Sequence, residues 1–178
     1  MKPAVFVLTI AILAVFAIGC GGKKYTQTVD FVDIPRFMGT WYVIAGRTTS
    51  FEKGAHNSVE KYSWNEEKER IDVEFLFNKD SYEGKVKRMT QKGGIVNEET
   101  NATWKIQPFW PVKFGYLVIG LADDYEWTAI GVPKTKYLWI MSRSPQMDDA
   151  KLNEIVEQLE AKGYPSREFI RVPQQWSL

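Results

Sequence analysis

From Met38 onward the chain repeats one unit: a short run rich in β-branched and aromatic residues, then a cluster of turn formers. Eight such runs are expected as strands, at Met38–Arg47, Asn57–Trp64, Arg70–Phe77, Gly84–Thr90, Ala102–Gln107, Gly115–Leu121, Trp127–Val132 and Tyr137–Arg143. Turns are expected at Asn65–Lys68, Asn78–Asp80, Lys92-Gly93-Gly94, Asp123-Asp124 and Pro133–Thr135. Ile71, Val73, Phe75 and Phe77 alternate with polar neighbours, with Leu76 the one exception, so that strand has one wet face and one apolar face. Tyr116–Leu121 is apolar on both faces and needs a cover. A single helical stripe supplies it: Leu152, Ile155, Val156 and Leu159 fall at i, i+3, i+4 and i+7. Asp148 and Asp149 suit its start, and Gly163 its stop. A short apolar-containing stretch, Glu168–Val172, follows. The expected fold is therefore all-β, an eight-stranded antiparallel up-and-down barrel with one C-terminal helix packed on its wall. A closed barrel leaves no open strand edge. Eight strands leave an interior that either fills with side chains or holds one small ligand.

Charge excludes one broad class. Lys plus Arg number 23 against 22 Asp plus Glu, a net charge of +1, which provides no basic field for a nucleic-acid backbone. With 7 Trp, 8 Tyr and 10 Phe, the chain has enough large apolar faces for a core and a binding cavity together. One Cys and one His exclude an internal disulfide and a Cys/His zinc cluster.

The first twenty residues carry no fold information. Lys2 is followed by an uncharged run from Pro3 to Ile18, too short for an ordinary bilayer span and suited to a secretory signal. Ala17-Ile18-Gly19-Cys20 resembles a bacterial lipobox, with Ala17 where Leu is most usual. That resemblance implies cleavage before Cys20 and lipidation of its thiol, and several acyl chains give firm anchoring. Removing residues 1–19 takes away only Lys2 among the charges and leaves 22 basic and 22 acidic side chains. The expected organisation is a lipoprotein signal peptide at 1–19, a lipidated Cys20 with a flexible tether to residue 29, and one domain over 30–178. With no Asp directly after Cys20, the tether resembles those of lipoproteins sorted to a bacterial outer membrane, facing the periplasm.

Three motifs occur in order: Gly39-Thr40-Trp41 after the short turn Val32–Phe37, then Asp123-Asp124-Tyr125, then Leu138–Pro145 containing Arg143. Together with the terminal helix they resemble the lipocalin family, closest to its bacterial outer-membrane lipoprotein and apolipoprotein D branch. The resemblance covers Val32 to Trp176. It implies the lipocalin calyx, with Arg143 laid across Trp41 to close the base. It assigns Gly39, Trp41, Asp124, Tyr125 and Arg143 structural roles, not ligand contacts.

Strand parity selects the inner wall. Tyr62, Phe75, Phe77, Trp104, Ile106, Tyr116 and Trp139 are its candidates, each equally accounted for as plain core. The resemblance places Tyr62, Tyr116 and Trp139 at aromatic pocket positions. An apolar pocket with a few polar groups suits a ligand with a hydrocarbon tail, a fatty acid or a lysophospholipid. Phe109 and Trp110, between two prolines, and Phe51 are candidates for the rim.

Catalytic signals are weak. Ser50, Ser63 and Ser142 lack a believable triad, because the sole histidine is His56, expected in an exposed loop. Glu66-Glu67 and Glu98-Glu99 read as solvated turns, and Cys20 is committed to lipid. The expectation is a binding protein and not an enzyme: a membrane-anchored lipocalin carrying one lipid for transport, storage or scavenging, without cofactor or metal. The alternative is a lipid-anchored barrel with a filled core that docks another envelope protein. Both a monomer and a homodimer fit the sequence.

Overall fold

The computed structural model describes residues 26–133, 137–164 and 169–176. The signal segment, Cys20 and the start of the tether lie outside the described residues, as do Lys134, Thr135 and Glu168. A one-turn helix, α1 (Ile34–Phe37), leads into β1 (Gly39–Arg47), β2 (Ala55–Asn65), β3 (Arg70–Lys79), β4 (Val86–Asn97), β5 (Thr103–Phe109), β6 (Val112–Leu121), β7 (Trp127–Gly131) and β8 (Leu138–Ser142). Helix α2 (Asp149–Ala161) and a two-residue strand, β9 (Ile170–Arg171), follow. Each strand pairs antiparallel with the next, β8 pairs with β1, and β1 pairs with β2, which closes an eight-stranded barrel. The extra strand β9 lies against β1.

An up-and-down barrel places its loops alternately at two ends. The β1–β2, β3–β4 and β5–β6 connections form the mouth, where β7 ends and β8 begins. The β2–β3, β4–β5 and β6–β7 connections, with α1, form the base.

Alternation sorts the apolar residues into two cores. The inner core includes Trp41, Val43, Tyr62, Val73, Phe75, Phe77, Trp104, Val118, Ile130 and Met141. The outer core places Leu152, Ile155 and Leu159 of α2 against Leu117, Ile119, Leu138 and Ile140, which is the cover that β6 requires. Asp148 caps α2 by accepting from the Lys151 N–H at 2.7 Å, and Gly163 ends it at φ +82.

Two sequence expectations are corrected. Lys92-Gly93-Gly94 is not a turn, since β4 runs through it to Asn97. Gly93 faces inward between Ile71 and Ile106, and a Cβ there would lie 2.8 Å from Ile106 Cδ1. Its glycine serves close packing inside a strand. His56 lies within β2 and not in a loop, half-buried with its ring edge-on to Tyr82 at 5.0 Å.

The seam between β1 and β2 has its own filling. Their pairing stops at Tyr42–Val59. Above it β9 pairs with Ala45 and Gly46, and the C-terminal segment continues between the strands. Gln174 Nε2 donates to the carbonyls of Val43 (2.8 Å) and Ser58 (3.0 Å), and the Asn57 N–H donates to Pro173 O at 2.8 Å. Trp176 then packs edge-on against Tyr42 at 5.2 Å. It lines an outer hollow with Val59 and Leu76, which accounts for the apolar Leu76 on an otherwise polar face.

Candidate ligand site

The base is closed by a cation on an indole. Arg143 Cζ stands 3.6 Å from the Trp41 ring centroid. Its guanidinium donates to the carbonyls of Thr40 (2.9 Å), Arg36 (2.7 Å), Phe37 (3.2 Å) and Met38 (2.9 Å). Desolvation pulls the Arg143 pKa down from its ordinary value, an effect opposed by the Glu126 charge. Trp41 Nε1 donates to Phe37 O at 2.8 Å. Gly39 sits at φ +101, where a Cβ would lie 3.3 Å from Arg143 Nη1, so that position needs glycine on both counts. Asp124 accepts from the Glu126 N–H at 3.0 Å within the β6–β7 turn. Tyr125 receives the Asp33 N–H on its hydroxyl at 2.8 Å and the Arg36 guanidinium over its ring at 4.0 Å, which ties that turn to α1.

Above this floor the inner wall is aromatic. Tyr62, Phe75, Phe77 and Trp104 are buried in the inner core, and half-buried Tyr116 and Trp139 pack against it. Two groups form. Tyr62, Trp104 and Tyr116 meet in the lower half, where Trp104 stacks on Tyr116 at 5.5 Å and 9°. Phe75 and Phe77 continue upward at 5.4 Å, and Phe51 from the first mouth loop meets Phe77 edge-on at 5.4 Å. Trp139 stands apart near the mouth, opposite Gly46.

Glu60, Glu52 and Phe114 also reach the interior and were not selected from the sequence. Glu60 lies two residues before Tyr62 on β2, so the same parity turns it inward, and it is 8% exposed. Its Oε2 accepts from the Tyr62 hydroxyl in a short contact and from the Tyr116 hydroxyl at 3.3 Å, and the two hydroxyls also touch. Burial pushes the Glu60 carboxyl up to about 7; the Tyr62 hydrogen bond opposes this and the Glu52 charge adds to it. Burial, with Glu60 beside them, holds both phenols well above their ordinary range. Glu52 folds inward from the first mouth loop, 8% exposed, and accepts from Trp139 Nε1 at 2.8 Å and from Thr49 N and Oγ1 at 3.0 and 2.7 Å. No sequence pattern marked it, because loop residues have no parity. Phe114, two residues above Tyr116, is on the inner face opposite Ile106 and is 50% exposed.

Around the mouth, Phe109 is 63% and Trp110 85% exposed at the β5–β6 turn. Phe109 and Trp110 also border a groove of about 660 Å³ along β2 to β5. Its walls mix Lys61, Asp72, Glu74 and Lys92 with apolar side chains, where the interior is mainly aromatic. Among the described residues no cluster of His, Cys, Asp and Glu could hold a metal ion.

Comparisons with known proteins agree with this geometry. The family model described as a lipocalin-like domain matches residues 32–174. The chain is 29% identical over 177 residues to the outer membrane lipoprotein Blc of Escherichia coli K12, covering 99% of each. It is 27% identical over 162 residues to the protein of the same name in Vibrio cholerae, covering 88% of this chain and 92% of that one. In architecture it superposes on the cockroach allergen Per a 4 with a TM-score of 0.66 at 19% identity, over 87% of this chain and 96% of the other. Closed barrel, base pair and matched domain together place the chain in the lipocalin family.

Proposed function

We propose that the protein binds one small lipophilic ligand inside its barrel. The carrying observation is the inner wall, aromatic from Trp41 at the base to Phe114 at the mouth, where half of that side chain remains uncovered. A concave, mostly apolar surface with a few polar groups is what single-ligand sites present. The ligand class is a lipid with one hydrocarbon tail, a fatty acid or a lysophospholipid, carried for transport, storage or scavenging in the cell envelope. Lipocalin membership supports binding and not catalysis. The lipobox-like sequence at Cys20, and relatives named outer membrane lipoprotein, support a lipid-anchored protein on the periplasmic side of a bacterial outer membrane.

The test is a titration of the full-length protein, stripped of bound lipid, with a lysophospholipid and a long-chain fatty acid while following tryptophan fluorescence. Saturable binding of one molecule per chain is expected. Trp139→Ala, which removes an inward indole near the mouth, should weaken affinity about three- to tenfold while far-ultraviolet circular dichroism stays unchanged. Absence of saturable binding in a folded protein would replace this reading with that of a filled barrel acting as an interaction module.

A further inference from the structure

The inner wall is electrostatically one-sided at depth. Glu60 lies at the level of Trp41, in the lower half of the barrel, and Glu52 hangs into the upper half. Among the described residues no ion pair reaches either carboxyl; the salt bridges there, such as Arg70–Asp72 and Lys151–Glu154, lie on the outside. Parity turns Lys87 of β4 inward opposite Phe77, toward the mouth, but it pairs with neither glutamate. Lys79, at the rim, is held by Asp80 and the Lys53 carbonyl. Arg143 is beneath the floor, spent on four carbonyls.

Both phenols converge on one oxygen of Glu60, Oε2, and Oε1 is not among the buried oxygens that lack a partner, so it remains reachable. A charged carboxylate more than nine-tenths buried with no counter-charge is costly unless a ligand supplies one. The faces around it are those of Tyr62, Tyr116 and Trp104, and aromatic faces attract cations.

We propose that the inner end of the barrel is a cation subsite, in which Glu60, framed by Tyr62, Tyr116 and Trp104, takes the ammonium of an amphiphilic amine whose alkyl part runs along Phe75 and Phe77 toward the mouth. The proposal rests on the reading of the barrel as a one-ligand site and adds a second ligand class to it: an amine enters head first, whereas a fatty acid or lysophospholipid enters tail first with its head group left at the mouth. A carboxylate at the same place would meet Glu60 and the field of Glu52. An alcohol would gain a hydrogen bond but no charge partner.

The ligand pH profile follows from the groups that face Glu60: Tyr62 on its own strand, Tyr116 on β6 and Glu52 from the mouth loop, while Lys87 on β4 lies higher. The phenols stay neutral across the working range. An ammonium therefore binds more tightly as Glu60 loses its proton, up to about tenfold per pH unit below neutrality, with a plateau above it.

The experiment compares octylamine, octanoate and octanol, which share one tail length. Each is titrated into the full-length protein in lipid nanodiscs, with empty nanodiscs as the partition control, by calorimetry and tryptophan fluorescence from pH 6 to 8.5. Octylamine is expected to bind at least tenfold tighter than the other two at pH 8. Glu60→Gln should remove both that preference and its pH dependence while octanol binding persists, and Glu52→Gln should keep the preference. Equal affinity for octanoate, a preference that survives Glu60→Gln, or one lost only in Glu52→Gln would overturn the cation subsite. If octanol also fails to bind, the one-ligand reading itself falls, whereas octanol binding without an amine preference defeats the subsite alone.

Discussion

Glu60 illustrates how one buried side chain sets a pH-dependent property of the whole chain. Its carboxyl is raised from 4.5 to about 7 on folding, chiefly by burial. A raised acid stabilises the folded state fully below its unfolded pKa, and that contribution disappears as the pH climbs through the folded value. The unliganded protein should therefore lose melting temperature between pH 5 and 8. The full shift corresponds to on the order of 3 kcal/mol. Glu60→Gln should flatten the profile and match or exceed the native protein at pH 8; an unchanged slope in the variant would remove Glu60 as its cause. Arg143 acts in the opposite sense. Arg143→Ala would strip the Trp41 face and take a donor from four carbonyls, of which Phe37 O keeps Trp41 Nε1, a loss on the order of 2–4 kcal/mol in thermal unfolding. Arg143→Lys should recover little, because an ammonium lacks the planar fork that reaches several carbonyls at once. Full stability in either variant would contradict the role given to the floor. Parity from Tyr62 already pointed to Glu60 in the sequence. A lone glutamate in a strand reads as solvated, however, until two phenols from β2 and β6 are seen to close on it.

At the scale of elements, the strands and α2 were legible because alternation, helical spacing and capping signals agree with one another. The misread segment, Lys92-Gly93-Gly94, carries turn chemistry but meets Ile71 and Ile106 across two partners, a constraint invisible along one strand. The seam was equally hidden. Residues 172–176 have no repeating pattern, yet Gln174 spans the gap where β1 and β2 part company. Gln174→Ala should cost about 1–2 kcal/mol by leaving the Val43 and Ser58 carbonyls without a donor. The same change should speed amide exchange in the upper half of β1 and the first residues of β2 more than in β6 and β7. Uniform exchange across all strands would show that the tail does not hold the seam.

The molecule as a whole is a barrel with two unlike ends and two unlike surfaces. The base is sealed by α1, Trp41 and Arg143. The mouth presents Phe51, Phe109 and Trp110 to solvent, large apolar groups where a ligand with a hydrocarbon tail would pass. Inner and outer faces alternate residue by residue, so Phe75 and Phe77 face the interior while Glu74 and Leu76 on the same strand face out. The measurement that meets the central claim most directly uses a lysophospholipid with a photoreactive group in its tail, bound to the full-length protein, activated, and mapped by mass spectrometry. Adducts are expected on inward positions, above all Phe75 and Phe77 on β3, Met89 opposite Phe75 on β4, and Phe114 on β6, in a two-residue rhythm along each strand. Adducts on Glu74, Leu76 and the outer groove, with the inner positions unlabelled, would contradict a ligand held within the barrel.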